Sequence, residues 1–391
     1  MRLWKVVMNL SNSVILPGQT IGIIGGGQLG RMMALAAKAQ GYRIAVLDPT
    51  EDSPCGQVAD HKIVDSYASM EGIKQLAKVS DVITYEFENI DADCLEWLQT
   101  HAYVPQGSSV LEITQDRVSE KQAIQQAGVK VAPFEVIEKS GDLEKALVTI
   151  GIPAVLKTAR GGYDGKGQFV IRSSYEVQEA EKLLAHGRCV LEKWIPFEKE
   201  ISVIVTRGIN GETTVFPVSE NIHINNILHQ SIVPARISDR AKEAAIQKAG
   251  IIAEHLQLVG TLAVEMFLGS DDDIYINELA PRPHNSGHYT IEACETSQFE
   301  QHIRAVCGTP LGSTKLLRPA VMVNILGEHQ APIISALPEL EDWKVHLYGK
   351  LEPKEKRKMG HATLLRSSVE IALDEIDRSG IWSLQTEKIG G

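Results

Sequence analysis

The stretch from residue 262 to residue 288, LAVEMFLGSDDDIYINELAPRPHNSGH, constrains this chain more than any other. It reads as two apolar strands, 262–268 and 274–279, joined by a turn of Gly269, Ser270 and three aspartates. Each strand carries one glutamate, Glu265 and Glu278, among apolar neighbours. A carboxylate drawn into a sheet must be paired, hydrogen-bonded or metal-bound. Two on adjacent strands, with the Asn277 amide oxygen nearby, supply the hard oxygen ligands that Mg²⁺ takes when substrate phosphates complete its octahedron. A structural salt bridge would account for one such glutamate. It accounts less well for two that run directly into the stiff polar loop Pro281-Arg282-Pro283-His284-Asn285-Ser286-Gly287-His288, which suits an anion.

Composition narrows the class. A chain of 391 residues can hold two or three domains with their own cores. A formal net charge of -11 argues against a general nucleic-acid or membrane-surface binder but allows a local cationic pocket for a phosphorylated small molecule. Five scattered cysteines without a CxxC argue against a disulfide framework or zinc site and fit a reducing cytoplasm. No apolar run reaches membrane-spanning length, and residues 1–19 read as a loosely attached leader without the apolar core of a signal peptide.

Along the chain, the strand from Thr20 runs into Gly25-Gly26-Gly27-Gln28-Leu29-Gly30, then a helix from about Arg31 to Gln40, then a strand ending at Asp48. This is a βαβ unit whose glycine-rich turn could serve a dinucleotide, with Asp48 on a ribose, or equally another anion at the helix N-terminus. Glu86 ends the strand from Val82, where open parallel sheets face their ligand crevice, and is the better candidate for substrate contact; Glu88 reads as a surface-turn carboxylate. The first domain closes near residue 110, after a strand fragment at Tyr103-Val104-Pro105. A helix-turn-helix pattern over 108–131 carries Arg117 and Lys121; Arg117 on its own reads as a solvated helix charge.

A second glycine stretch lies between two strands: Lys157 ends the first, and Gly161-Gly162-Tyr163-Asp164-Gly165-Lys166-Gly167-Gln168 follows. Its backbone amides can wrap an anion. It is neither a Walker A loop nor a kinase loop, because GxxxxGK[ST] before a helix, HRD and DFG are all missing. The strand Cys189–Ile195 contains Glu192-Lys193-Trp194-Ile195, by itself an ordinary amphipathic strand. A long amphipathic helix spans 238–257. Residues 311–391 read as a small β-rich domain, in which positions 350–358 hold five basic residues in a chain of net charge -11. Such a run is usually a solvated face; a phosphate-binding loop is the sharper alternative.

Four separated words, GGGQLG, GGYDGKGQ, NELAPRPHNSGH and YGK…RKMGH, occur in this order, and together they resemble the 5-(carboxyamino)imidazole ribonucleotide synthetase family of ATP-grasp enzymes over residues 20–370. That resemblance implies an α/β ATP-grasp fold: a Rossmann-like N-terminal domain (20–110), an ATP-grasp domain (111–310, lid lobe about 130–205) and a small C-terminal domain (311–391). It implies ATP-dependent carboxylation of 5-aminoimidazole ribonucleotide by bicarbonate through carboxyphosphate, with Mg²⁺, in purine biosynthesis, by a cytoplasmic homodimer with no nucleic-acid or membrane partner. The metal would sit on Glu265 and Glu278. ATP would be held by Arg117, Lys157, Gly162, Tyr163, Asp164, Gly165, Lys166, Gly167, Gln168, Glu192, Lys193, Trp194, Ile195, Glu200, His223, Asn277 and Glu278. In that set Glu192 to Ile195 form the adenine edge and Glu200 binds the ribose. Arg282, Tyr163, Asp164 and Lys166 would be catalytic. The ribonucleotide would meet Gln28, Leu29, Glu86, Asn285, Ser286, Lys350 and Arg357. Lys354 stands where the family pattern expects an arginine, which loses a bidentate fork.

Two other readings have distinct marks. Another ATP-grasp ligase, such as a formate-using transformylase or a biotin carboxylase, shares the metal glutamates but should differ at HNSGH and YGK…RKMGH. A nicotinamide-dependent oxidoreductase accounts only for GGGQLG and Asp48. Four glycines among seven residues, 161–167, are expensive to order without a ligand. Limited proteolysis should therefore cut this loop in the free protein and spare it with an ATP analogue; equal cleavage in both would count against a nucleotide-binding loop.

Overall fold

The computed structural model describes residues 14–88, 90–162 and 166–383. Thr20–Ile24 is fully buried, as a short apolar run without alternation should be when helices cover both faces of a sheet. It lies at the centre of a four-stranded parallel sheet in the order His61–Val64, Arg43–Asp48, Thr20–Ile24, Val82–Tyr85. The helix Gln28–Ala39 packs Leu29, Met32, Met33 and Ala37 into a core shared with Phe299, Ile303 and Val306 of the helix Gln298–Cys307.

The glycine turn is organised around the protein's own carboxylates. Gly25 has φ +107°, a conformation L side chains rarely adopt. The Gly26 N–H donates to Asp48 Oδ2 at 2.7 Å, and the Gly27 and Gly30 N–H groups both donate to Glu86. The anion expected at this helix N-terminus is thus Glu86 itself. Asp48 also accepts from Thr50 N–H and the Tyr67 hydroxyl, so it is not presented to a ribose. A Cβ on Gly30 would stand 2.6 Å from the Gly25 carbonyl oxygen, which explains why this position has none.

Two further sheets follow. One is antiparallel, in the order Phe134–Ile137, Cys189–Lys193, Ala154–Thr158, Gln168–Ile171. The other has nine strands, running from Ile274–Ala280 through Gly260–Leu268, Lys199–Arg207, Ser219–Ile224 and Ile227–Val233 to Ala320–Leu326, Lys358–Leu365 and Lys344–Leu347, with Thr213–Val215 beside Lys199–Arg207. The helix Asp239–His255 lays Ala241, Ala245, Ala249, Ile252 and Ala253 on this sheet.

Several expectations change. The β-rich C-terminal region joins the large sheet: Ala320–Leu326 pairs with Ile227–Val233, and Ile232 packs with Val321, Val323 and Leu364. Two helices, Gly327–Ala336 and Val369–Arg378, also lie there; the first contains Pro332, which sequence reasoning treats as a breaker. Residues 103–105 form no strand; the Tyr103 carbonyl accepts the Ile83 N–H and the Val104 carbonyl accepts the Gly107 N–H. Of the supposed leader, residues 1–13 lie outside the described residues, while Ile15 is buried, donates to the Cys307 carbonyl at 2.9 Å and accepts from the Tyr42 hydroxyl. An apolar Ile beside the exposed end of a helical core docks rather than trails. No helix among the described residues is long and apolar enough to cross a membrane.

Glycine substitutions test this packing. Gly30→Ala should lower stability by about 1–3 kcal/mol, because its neighbour is main chain and cannot swing aside. Gly250→Ala, in a helix with nothing within 4 Å of the added carbon, should instead stabilise by about 0.5–1 kcal/mol. Denaturant midpoints of the two variants should move in opposite directions.

Candidate active site

Glu265 and Glu278 are direct cross-strand partners. One position further on, Met266 faces Ile276, so Asn277 is the extra residue of a β-bulge. In a regular strand Asn277 and Glu278 would point to opposite faces. The bulge re-aims them, and both line one cleft of about 460 Å³ between the two antiparallel sheets. Burial, and then the Glu278 charge, raise the Glu265 pKa to about 7. Two facing carboxylates with excess negative charge fit a divalent cation that takes its other ligands from phosphates and water. Among the described residues no third carboxylate, histidine or cysteine completes an all-protein metal cage.

The opposite wall is cationic. Lys157 lies 3.1 Å from Glu192 Oε2 and donates to Asn277 Oδ1 at 3.4 Å; Lys121, fully buried, lies 3.1 Å from Glu192 Oε1. Burial opposes ionisation of Glu192, but Lys121, Lys157 and Arg117 hold its pKa down to about 2. Arg117 reaches Glu278 at 3.3 Å. Glu192, placed at the adenine edge, lines the cleft and is also the buried counter-ion of Lys121 and Lys157. Lys121, given no role from the sequence, belongs to the site's framework.

Lys166, Gly167 and Gln168 also line the cleft, as do Lys193, Trp194, Ile195, Glu200 and His223. Gly162 does not line it, though a Cβ there would come within 3.6 Å of Arg117. Tyr163, Asp164 and Gly165 lie outside the described residues. Lys193 and Trp194 spend their N–H groups on the Pro133 and Pro153 carbonyls. Phe197 and Phe267 stack at 4.6 Å and give the cleft an apolar wall. His223 pairs with Glu200 at 3.0 Å; burial works against its charge, yet Glu200 and Glu265 raise its pKa.

The loop after the second metal strand divides its side chains. Asn285 lines the cleft, buried, with neither amide atom hydrogen-bonded. Such an orphan normally marks a ligand or an ordered water. His284, missed from the site set, lines it too, with Nδ1 3.0 Å from Ser286 Oγ and Nε2 3.5 Å from Glu265; burial keeps this imidazole neutral. Ser286 is fully buried and accepts from Ser202 Oγ, so its side chain serves the loop rather than the cleft. Arg282 pairs with Glu88 at 2.9 Å, which gives that apparent surface carboxylate a partner.

A second locus forms around the glycine turn. Both Glu86 oxygens accept turn amides, and Glu86 is close enough to Arg282 and Lys350 for their charges to couple; burial raises its pKa. Burial, then Arg357, push the Lys350 pKa down to about 8. Leu29 belongs to the core, leaving only its main chain for a ligand. Gln28 begins the helix and is half-buried. The basic run is not one unit: Lys358 lines the first cleft, Lys350 sits by Glu86, and Lys354 and Lys356 are solvated. Arg357 is exposed and donates to the Glu352 carbonyl.

The sequence matches the ribonucleotide synthetase preATP-grasp domain over residues 18–115, the ATP-grasp domain over 122–299 and the phosphoribosylaminoimidazole carboxylase C-terminal domain over 320–375. It is 56% identical to an N5-carboxyaminoimidazole ribonucleotide synthase of Bacillus subtilis, covering 94% of this chain and 97% of that one. A crystal structure of an ADP complex of N5-carboxyaminoimidazole ribonucleotide synthetase is 60% identical, with TM-score 0.94 over 96% of this chain and 99% of that one. The Aspergillus clavatus synthase in complex with ADP and 5-aminoimidazole ribonucleotide is 30% identical, with TM-score 0.87 over 92% and 97% of the two chains.

The ion triad predicts a pH-dependent mutant effect. Glu192→Gln strands two buried ammonium groups and should cost about 3–5 kcal/mol at neutral pH. Because the folded pKa of about 2 lies below the ordinary 4.5, the wild-type contribution is complete above pH 4.5 and is lost as pH falls toward 2. The stability gap between wild type and variant, measured by denaturation at pH 7 and at stepwise lower pH, should narrow below 4.5.

Proposed function

The chain belongs to the N5-carboxyaminoimidazole ribonucleotide synthase family of ATP-grasp ligases, and from that premise we propose how its residues divide the work of the family's reaction. It carboxylates 5-aminoimidazole ribonucleotide with bicarbonate at the expense of ATP, forming a C–N bond in purine biosynthesis. The observation that carries our assignment is the bulged carboxylate pair facing Arg117 and Lys157 across one cleft.

ATP occupies that cleft, its base along Trp194, Ile195, Phe197 and Phe267 and its ribose by Glu200 and His223. Mg²⁺, held by Glu265 and Glu278, would neutralise phosphate oxygens. Arg117, Lys157 and Lys166 offset charge on the transferring phosphoryl group, which is most of what protein can contribute to such a step. A bicarbonate oxygen attacks the terminal phosphorus and the bond to ADP breaks. The resulting carboxyphosphate loses phosphate as its C–O bond breaks, and the ribonucleotide amine bonds to the released carbon dioxide and sheds a proton. Arg282, oriented by Glu88, lies between the two loci and would hold the bicarbonate carboxyl group; Tyr163 and Asp164 are assigned with it. Asn285, Gln28, Glu86, Lys350 and Arg357 bind the ribonucleotide. Cytoplasmic location and a homodimer are further parts of this reading, the second open to sedimentation.

ADP release measured with bicarbonate, with and without the ribonucleotide, and with formate in place of bicarbonate, separates this activity from other ATP-grasp ligases. Release that depends on both bicarbonate and the ribonucleotide is expected. Glu278→Gln should lower it by more than about 100-fold with the fold intact; near-normal turnover at limiting Mg²⁺ would refute the metal assignment. Arg357→Ala should raise the ribonucleotide KM by roughly one to two decades, the loss of one charge-assisted bond, and spare the ATP KM. Lys358→Ala should do the reverse, because Lys358 lines the nucleotide cleft.

A further inference from the structure

Behind the second locus lies a column of buried rings. Asn324, His361 and His346 form one row across three neighbouring strands. His361 is fully buried, stacks on His346 with centroids 4.7 Å apart and 15° between planes, and lies 4.7 Å from His288. His346 in turn meets Glu292 at 2.5 Å. The His361 Nδ1 is 2.9 Å from the Tyr348 hydroxyl, while its Nε2 is buried with no hydrogen-bond partner. An apolar ring would fill the same space without stranding that nitrogen, so packing alone does not explain an imidazole here. The two groups it touches explain it better. Tyr348 opens Tyr348-Gly349-Lys350, and Lys350 Nζ sits over the Tyr348 ring at 5.8 Å. His288 closes the loop that carries Arg282 and Asn285.

We propose that His361 is a positioning residue for the ribonucleotide: its bond to Tyr348 and its contact with His288 hold Lys350 and the Asn285 loop at a fixed spacing. This rests on the assignment of those residues to the ribonucleotide given above.

Three variants test it, each read by ADP release under varied ribonucleotide and varied ATP, with Tm recorded. Tyr348→Phe and His361→Phe keep ring volume and remove the hydrogen bond. Both should raise the ribonucleotide KM about 5-fold, the worth of one neutral hydrogen bond, with the ATP KM little changed, while Tm falls modestly because each leaves one buried partner unpaired. His361→Asn places an amide where Nδ1 was and should restore much of the ribonucleotide KM. The inference is overturned if both KM values rise together with a fall in Tm, which marks a purely structural column, or if neither phenylalanine variant changes the ribonucleotide KM. Absence of ribonucleotide-dependent ADP release by the unaltered chain would overturn the functional assignment and this inference with it; normal release with unmoved variant constants overturns the inference alone.

Discussion

The buried ion group around Glu192 sets the relation between the parts of this molecule. Glu192 and Lys157 lie on the small antiparallel sheet, Lys121 on the helix Arg117–Gln126, and Lys157 reaches on to Asn277 of the large sheet. Glu120, on the same helix as Lys121, accepts the Leu279 N–H at 2.7 Å and so ties that helix to the strand that carries Glu278. Removing any one partner would leave a charge in a poorly solvated place, which is why such groups fix geometry even where they add little net stability. Here the geometry they fix is the separation between the cationic and anionic walls of the cleft.

That separation gives the site its chemistry. Three cations face two carboxylates across a space lined by aromatic rings, an arrangement complementary to a triphosphate with its metal and base. The second locus differs in kind. Its glycine amides are already satisfied by Glu86 and Asp48, and the cationic side chains of Arg282 and Lys350 approach Glu86 there from other parts of the chain. Arg282, paired with Glu88, couples by charge both to Glu86 of that locus and to His284 of the cleft.

Many of the residues that line the cleft were legible because they cluster in short words. A lysine ending a strand before a glycine loop, and a glutamate in each of two apolar strands, break the local pattern, and such breaks are where function shows. What the sequence did not show had ordinary local surroundings. Lys121 and Glu192 carry no local mark of the ion pair they form 71 residues apart in sequence, 192 less 121, inside the protein. His284 and Lys358 sat inside recognised words without being singled out. Glu88 looked like a turn carboxylate because its partner is Arg282.

The sequence by itself determined most of the strands, the glycine turns and the pair of glutamates on adjacent strands, since these follow from residue type and short-range periodicity. It also carried enough family-specific wording to point to the reaction. Only the tertiary structure decided three things: that a bulge turns Asn277 and Glu278 into the same cleft, that Glu86 occupies the glycine turn, and that the C-terminal strands extend the central sheet. Each depends on which distant segments meet. Cross-strand register and long-range hydrogen bonds are set by the packing of whole elements, and no local pattern of residues records them.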